Sequence, residues 1–361
     1  MQRLAYLELL RFLLALAVVV YHYFYWGPSA GIVPAVSVAA IVPFFILAVP
    51  VFFIVSGFVI SFSAENRSNA DFAVARFARL GPTLLVCSTI TFIVLSIAPL
   101  GGMMHTVNVW HWLAGATVAP LAIMGGVDLS LWSLKYEIIF YVLIFGLLSF
   151  GMNTRRLKIL ACVLILSDLI EQLIALRPPL NHDAPFKHYG AYFALGILFY
   201  LQKKTETRLL FILIATVAMS LLDTRTELLR VEVGQMHHRD PGVATSVIAG
   251  VIAIGIFLLC LGGTGNKPFA KICALVGAAS FPLYVIHQFL GYRLISWANQ
   301  TLPFDGVTAR LLTIGVMVFF AVSFSFFVEK QLIDKYKIFA TKTGEAATLA
   351  AQRLRILATR G

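Results

Sequence analysis

The sequence predicts an all-α polytopic membrane helix bundle of about ten transmembrane helices, with both termini cytoplasmic. Three observations lead there. Of the 361 residues, 60% are hydrophobic and only 12% are charged, where a soluble domain carries about 25% charged residues. The mean hydropathy is +0.88, and the apolar residues gather into runs long enough to span a bilayer. The basic residues between those runs are distributed unevenly, which orients the runs.

The first run, 4–25, holds Arg11 and ends in Tyr21-His22-Tyr23-Phe24-Tyr25-Trp26, where a cleaved signal would carry small residues. It reads as a retained first span. Further spans follow near 40–62, 80–99, 131–150, 157–176, 187–202, 208–222, 243–263, 272–296 and 308–328. With the N-terminus inside, the inner segments hold 19 Lys and Arg and the outer loops six: Arg177, Lys187, Arg225, Arg230, Arg239 and Arg310. Arg11, Lys135 and Arg293 fall inside spans. The bias satisfies the positive-inside rule, so the net charge of +11 reports topology and no nucleic-acid partner is expected.

One segment tests that count. Val107 to Ile123 is apolar enough to cross, yet it holds Asn108, Trp110, His111, Trp112 and Pro120. If it crossed, the later bias would invert to 6 inside and 15 outside. It therefore belongs on or partly within the outer interface, where Trp is at home. The runs 187–202 and 208–222 are short for spans, so their ends are weakly marked. Residues 1–330 form one integral-membrane domain, and 331–361 a basic tail that reads as a helix on the cytoplasmic surface. Cys87, Cys162, Cys260 and Cys273 lie in or beside apolar runs without metal or disulfide spacing, so they read as small buried hydrophobes and no metal is expected.

Function is carried by the polar residues this pattern leaves inside spans. Eleven residues separate Arg11 from His22, which returns them to within about 20° of one helix face across roughly 16 Å of rise. An ionisable group inside a span costs about 2.5–3.5 kcal/mol even on lenient scales, so it normally faces a protein-lined or wet interior. Together they suggest a polar track along the helix. An i, i+3 ion pair with Glu8 would account for Arg11 more plainly, but it leaves His22 without a reason.

Depth assigns the others. Glu137 lies about 9 Å below the outer boundary of its span, counted from Leu131 at 1.5 Å per residue. His287 falls in the outer half of the ninth run. His22, Glu137 and His287 therefore share an outer layer on three spans, which suits general-base chemistry on a hydroxyl. A buried network that only ties helices together would look the same. Arg76 and Arg79 share a face at the cytoplasmic mouth of the third span, a spacing that suits phosphate but that topology alone also explains. In Leu131-Trp132-Ser133-Leu134-Lys135-Tyr136-Glu137-Ile138-Ile139-Phe140-Tyr141, the residues Ser133, Glu137 and Phe140 share one side and Lys135 points elsewhere. His237 and His238 read as solvated loop residues.

Five motifs then resemble one family in order. Leu7-Glu8-x-x-Arg11 followed by His22 is similar to the opening of the membrane-bound acyltransferase-3 family, whose members O-acylate sugars and other cell-envelope molecules. Phe52-Phe53-Ile54-Val55-Ser56-Gly57-Phe58, Arg76-x-x-Arg79-Leu80-x-Pro82, Trp132-Ser133-Leu134-x-x-Glu137-x-x-Phe140-Tyr141 and Ser280-Phe281-x-x-Tyr284-x-x-His287 continue the likeness. Phe281 stands where Tyr is frequent, and Leu84 where an aromatic often follows the arginines. Neither departure removes an ionisable group.

The resemblance implies an O-acyltransferase in a bacterial cytoplasmic membrane. Its co-substrate would be acyl-CoA, with acetyl-CoA first by family habit, and no cofactor would be permanently bound. The acceptor would be a carbohydrate hydroxyl. Arg76 and Arg79 would meet the donor phosphates, and the thioester arm would pass Arg11. His22 would assist deprotonation of the acceptor, with His287 as a competing base, and Glu137 would orient His22 or the acceptor. Trp132, Ser133, Ser280 and Tyr284 would contact substrate. The rival classes are a proton-coupled transporter, which would use His and Glu as a relay, and a scaffold. Internal symmetry with broken spans would mark the transporter, and none is visible in the sequence. The acceptor and the oligomeric state are not encoded in any motif.

Overall fold

The computed structural model describes residues 5–100, 107–117, 126–175, 189–205, 243–261, 266–339 and 341. Among these the chain is helical, without strands. We label the main helices α1 (Ala5–Tyr21), α2 (Ala48–Ala64), α3 (Asn69–Ile97), α4 (Val109–Ala116), α5 (Leu134–Ser149), α6 (Thr154–Ala175), α7 (Gly190–Thr205), α8 (Val243–Leu261), α9 (Lys267–Thr301) and α10 (Gly306–Phe324). Six stretches are long and apolar enough to cross a membrane: Ala5–Ser29, Val42–Ala64, Asn69–Ile97, Leu129–Ser149, Lys267–Thr301 and Gly306–Phe339. Helices α6, α7 and α8 stand where three further spans are expected, and 208–222 lies outside the described residues. Six, rather than ten, meet the length and hydropathy requirement among the described residues.

Local chemistry sets the ends. α1 runs on through a wide π-turn, His22–Trp26, into Gly27–Ser29. Pro28 has no N–H to offer the Phe24 carbonyl, and the helix stops one residue later. Gly31, at φ +70°, turns the chain away and donates its N–H to the Pro28 carbonyl at 3.0 Å. Ser68 caps α3, Asn266 caps α9 and Asp305 caps α10, each accepting from backbone N–H groups of the first turn. The Thr308 hydroxyl and the amides of Thr308 and Val307 hold the Asp305 carboxyl below its usual range. Pro82 and Pro282 sit inside α3 and α9, where neither can donate to the carbonyl four residues back.

α4 has only eight residues, too few to cross. The polar pair that marked it in the sequence is its cap. Asn108 accepts from the N–H of Trp110 and His111, and the Asn108 N–H donates to His111 Nδ1 at 3.2 Å. Trp112 ties this helix to α3 through Thr89 at 2.9 Å. Residues 118–123 of the expected interfacial segment lie outside the described residues.

α9 is the central post, packed along α1, α3 and α10, while α2 lies against α7 and α7 is backed by α6. α7 is buried throughout Gly190–Leu201. α2 and α7 cross closely at Gly57 and Gly196, where a Cβ on either would fall 2.2 Å from a backbone carbonyl oxygen of the other helix. Glu65, just past α2, accepts from Tyr200 Oη at 2.6 Å and pairs with Lys204 of α7. The Lys204 ammonium and the Tyr200 hydroxyl hold its carboxyl below the usual range.

One sequence expectation is corrected here. Arg310 is no outer-loop residue: it lies in α10, is fully buried, and donates to the carbonyls of Tyr23 (2.8 Å), Gly306 (2.6 Å) and Pro34. It is a clamp between α10 and the end of α1. The helix of α10 continues through the π-turn Ser325–Glu329 to Phe339, so the first residues of the expected tail, 331–339, are helical. Residues 342–361 lie outside the described residues.

Candidate active site

Helices α1, α2, α3, α5 and α9 enclose a cavity of about 400 Å³. Its walls are mostly apolar along α2, uncharged along α9 and charged along α1, α3 and α5, with Arg11, Arg76 and Arg79 set against Glu8 and Glu137. Ser133, Ser280 and Tyr284 also line it. Seven of the ten residues singled out in the sequence thus face one space.

Arg76 and Arg79 are held in different ways. Arg76 donates to Ser63 Oγ at 2.8 Å and lies over the rings of Phe72 and Tyr141 at 5.4 and 5.5 Å. Arg79 lies over the ring of Phe281 at 5.5 Å and pairs with Glu329 at 3.4 Å. Glu329 is buried and also accepts from Thr83 at 3.0 Å and Ser325 at 2.9 Å. Both arginines sit within α3, not at its mouth. Phe281, one of the two departures from the family pattern, takes the Arg79 cation on its face. Leu84, the other, is buried in the core away from the cavity.

Arg11 pairs with Glu8 at 3.2 Å. The i, i+3 pair therefore exists, and Arg11 faces the cavity all the same. Glu137 accepts from Tyr141 Oη at 2.5 Å, and the charges of Arg79, Glu8 and Glu137 lie within electrostatic reach of Arg11.

His22 does not line the cavity. The stripe it shares with Arg11 is closed by Ala15 and Val18, both in the apolar core, so the expected continuous polar track is two separate clusters. In the second cluster His22 Nδ1 lies 2.8 Å from His287 Nε2. His287 Nδ1 donates to the Tyr284 carbonyl at 2.8 Å. The histidine pair stands behind Tyr284, whose hydroxyl meets Ser133 Oγ at 2.7 Å on the cavity side. Matched depth thus brought two of the three expected groups together. Glu137 is the third and belongs to the cavity instead. Trp132 is 42% exposed and packs against Tyr136 and Tyr189, outside the cavity.

The sequence reading missed several residues of the site. Asp128 is buried and accepts from the N–H of Phe289 (2.9 Å) and from Ser130 N and Oγ (2.9 and 2.7 Å). Tyr23 donates to the His287 carbonyl at 2.7 Å. The available signal was a lone acid at each end of an apolar run, Asp128 before 131–150 and Glu329 after 308–328. Among the described residues no cluster of His, Cys, Asp and Glu could hold a metal ion. His237 and His238 lie outside them.

A model of the acyltransferase-3 family, described as an acyltransferase domain, matches residues 4–330. No curated protein and no solved structure matches the chain. The match runs from the first described helix to the Glu329 that braces Arg79, so it takes in every wall of the cavity and both histidines. The chain belongs to the acyltransferase-3 family and is a membrane acyltransferase, an enzyme that transfers acyl groups other than amino-acyl groups.

Proposed function

We propose that this acyltransferase moves an acyl group, acetyl in the first instance, from cytoplasmic acyl-CoA to a sugar hydroxyl. The acceptor is a surface or secreted polysaccharide or a related glycan, and the membrane is the bacterial cytoplasmic membrane. The supporting observation is the layout of the cavity. Arg76 and Arg79 stand two to three turns into α3 from its N-terminus, an apolar wall follows along α2, and Ser133 with Tyr284 closes the far side in front of the histidine pair. Such a gradient suits a donor with phosphates at one end and a thioester at the other.

In this reading Arg76 and Arg79 hold the donor phosphates, and the arm passes Arg11. Glu137, bonded to Tyr141 and facing Arg11, orients groups inside the cavity and does not orient His22. Ser133, Ser280 and Tyr284 offer hydroxyls to the thioester or the acceptor, and Trp132 offers an exposed aromatic face to a sugar. The acceptor oxygen attacks the thioester carbonyl carbon, and the carbon–sulfur bond breaks. The hydroxyl proton passes to His22 and from there to the departing thiolate.

The test is turnover by the purified protein in lipid nanodiscs, read as thiol release from acetyl-CoA and as a 42-dalton gain on glycan oligomers, the mass of an acetyl replacing a proton. His22→Ala should reduce turnover by about 10²- to 10⁴-fold while acetyl-CoA binding stays near that of the parent. A His22→Ala protein that transfers at more than a few per cent of the parental rate removes His22 as the base. Unchanged surface-polysaccharide mass in a deletion strain removes the glycan acceptor.

A further inference from the structure

We propose that His287 is a positioning residue: it locks His22 in the tautomer with its proton on Nδ1, so that Nε2 carries the lone pair that receives the acceptor's proton. The proposal rests on the reading of His22 as the base, and it removes His287 as the competing base.

The argument starts from a group that can only accept. The Tyr284 carbonyl lies 2.8 Å from His287 Nδ1, so Nδ1 carries the hydrogen. In a neutral imidazole the other nitrogen is then an acceptor. His287 Nε2 faces His22 Nδ1 at 2.8 Å, so the hydrogen between the rings belongs to His22. The opposite tautomer of His22 would set two lone pairs against each other at hydrogen-bond distance. The Val18 carbonyl, one turn back on α1, also lies within hydrogen-bond reach of the His22 ring, and with the hydrogen on Nδ1, Nε2 is left with its lone pair. Burial separates the two rings in the same sense: His287 is 0% exposed and His22 keeps 9%. Both nitrogens of His287 are engaged, and it has no surface on which to meet a substrate.

The turn that carries His287 is gripped from outside its own helix. Tyr23 Oη donates to the His287 carbonyl at 2.7 Å, Ser130 Oγ to the Tyr284 carbonyl at 3.2 Å, and the Phe289 N–H donates to Asp128 at 2.9 Å. Gly291 makes room for the first of these, since a Cβ there would fall 1.8 Å from the Tyr23 oxygen. Three bonds from two segments, the end of α1 and residues 128–130, thus fix the turn that carries this imidazole. When His22 Nε2 takes up the acceptor's proton, the Nδ1–H bond to His287 becomes charge-assisted, which stabilises the imidazolium until the departing thiolate accepts that proton. The logic is that of the third member of a hydrolytic triad, with a neutral acceptor in place of a carboxylate.

Two variants and one spectrum test it. Gln at 287 can place its side-chain oxygen near the position of Nε2 and accept from His22; Leu cannot. His287→Gln should keep turnover within about tenfold of the parent, and His287→Leu should lose about 10²-fold or more in kcat, with the KM for acetyl-CoA moving little in both. Ring ¹⁵N shifts of histidine-labelled protein, with His22 assigned by difference from His22→Ala, should show His22 protonated on Nδ1 in the parent and in His287→Gln. A His287→Gln enzyme as inactive as His22→Ala makes His287 a reacting group and overturns the proposal. So does a His287→Leu enzyme with parental kcat, or a parent spectrum with the His22 proton on Nε2. If Leu at 287 prevents folding, the parent and Gln spectra still decide. Failure of the underlying reading looks different: His22→Ala would then keep its turnover whatever tautomer the parent shows.

Discussion

Arg76 and Arg79 lie one turn apart on α3 and differ in what each leaves behind when removed. Arg76 is held by a neutral hydroxyl and two ring faces, so its loss strands no charge. Arg79 balances Glu329, whose side chain is 3% exposed, and removing one partner of a buried pair leaves an uncompensated charge. Each lost charge-assisted contact to the donor should cost about 1.5–3 kcal/mol, roughly ten- to a hundredfold in affinity. Arg76→Ala should therefore raise the KM for acetyl-CoA with little change in the melting temperature, whereas Arg79→Ala should raise the KM and lower the melting temperature. A restored melting temperature in Arg79→Ala/Glu329→Gln, with the KM still high, would separate the two roles. Equal KM values for parent and Arg76→Ala would reduce that arginine to a topological anchor. At this scale the sequence was legible where an ionisable residue interrupted an apolar run, because the cost of burial makes such residues conspicuous. It was silent on partners. Glu329 and Arg79 are 250 residues apart, His22 and His287 265, and one sequence carries no record of which distant groups meet.

At the scale of helices, the apolar runs marked α1, α2, α3, α5, α9 and α10, since a bilayer sets a minimum apolar length, but they missed the first eleven residues of α3, which are too polar to extend the run. What they could not convey is which apolar face meets protein and which meets lipid, because both are apolar. α7 shows the gap: its run looked too short for a span, and the structure makes it a buried post braced against α2 at Gly57 and Gly196. That crossing yields a contrast between two glycines. Gly57→Ala drives a Cβ into the Phe193 carbonyl at 2.2 Å, and backbone cannot yield as a side-chain tip can. It should cost about 1–3 kcal/mol or more through overpacking. Gly146→Ala in α5 meets nothing within 4 Å and should be neutral or stabilising by about 0.5–1 kcal/mol through helix propensity. Thermal unfolding of the two variants in one detergent checks both, and a Gly57→Ala protein as stable as the parent would mean the helices can part at no cost. The π-turns at His22–Trp26 and Ser325–Glu329 were not legible, since a single inserted residue leaves no mark on a hydropathy run. Each holds a residue of the site, as π-turns often do.

Across the whole molecule, side-chain ties link helix ends that the positive-inside reading puts on one side. Glu65 meets Tyr200 and Lys204, and Asn69 meets Ser149, so the ends of α2, α5 and α7 and the start of α3 lie together. At the other end Asp168 caps α7 through the N–H of Ala191 at 2.7 Å, Asp128 holds Phe289, and Arg310 holds Tyr23 and Pro34. α8 settles its own direction. Phe257, near its C-terminus, packs on Phe58 and Phe199 towards the Glu65 side, and the helix also touches Val42–Leu47 at the opposite end. The C-terminus of α7 and the N-terminus of α8 therefore lie at opposite ends of the bundle, the ends that the positive-inside reading makes cytoplasmic and outer. Single cysteines should report this in a background where Cys87, Cys162, Cys260 and Cys273 are replaced. A membrane-impermeant thiol reagent should label Val243→Cys and Phe304→Cys on intact cells, and Asn153→Cys and Lys203→Cys only after the membrane is opened. Labelling of 203 and 243 from the same side would break the ten-span order, and with it the placement of Arg76 and Arg79 on the face where acyl-CoA is made.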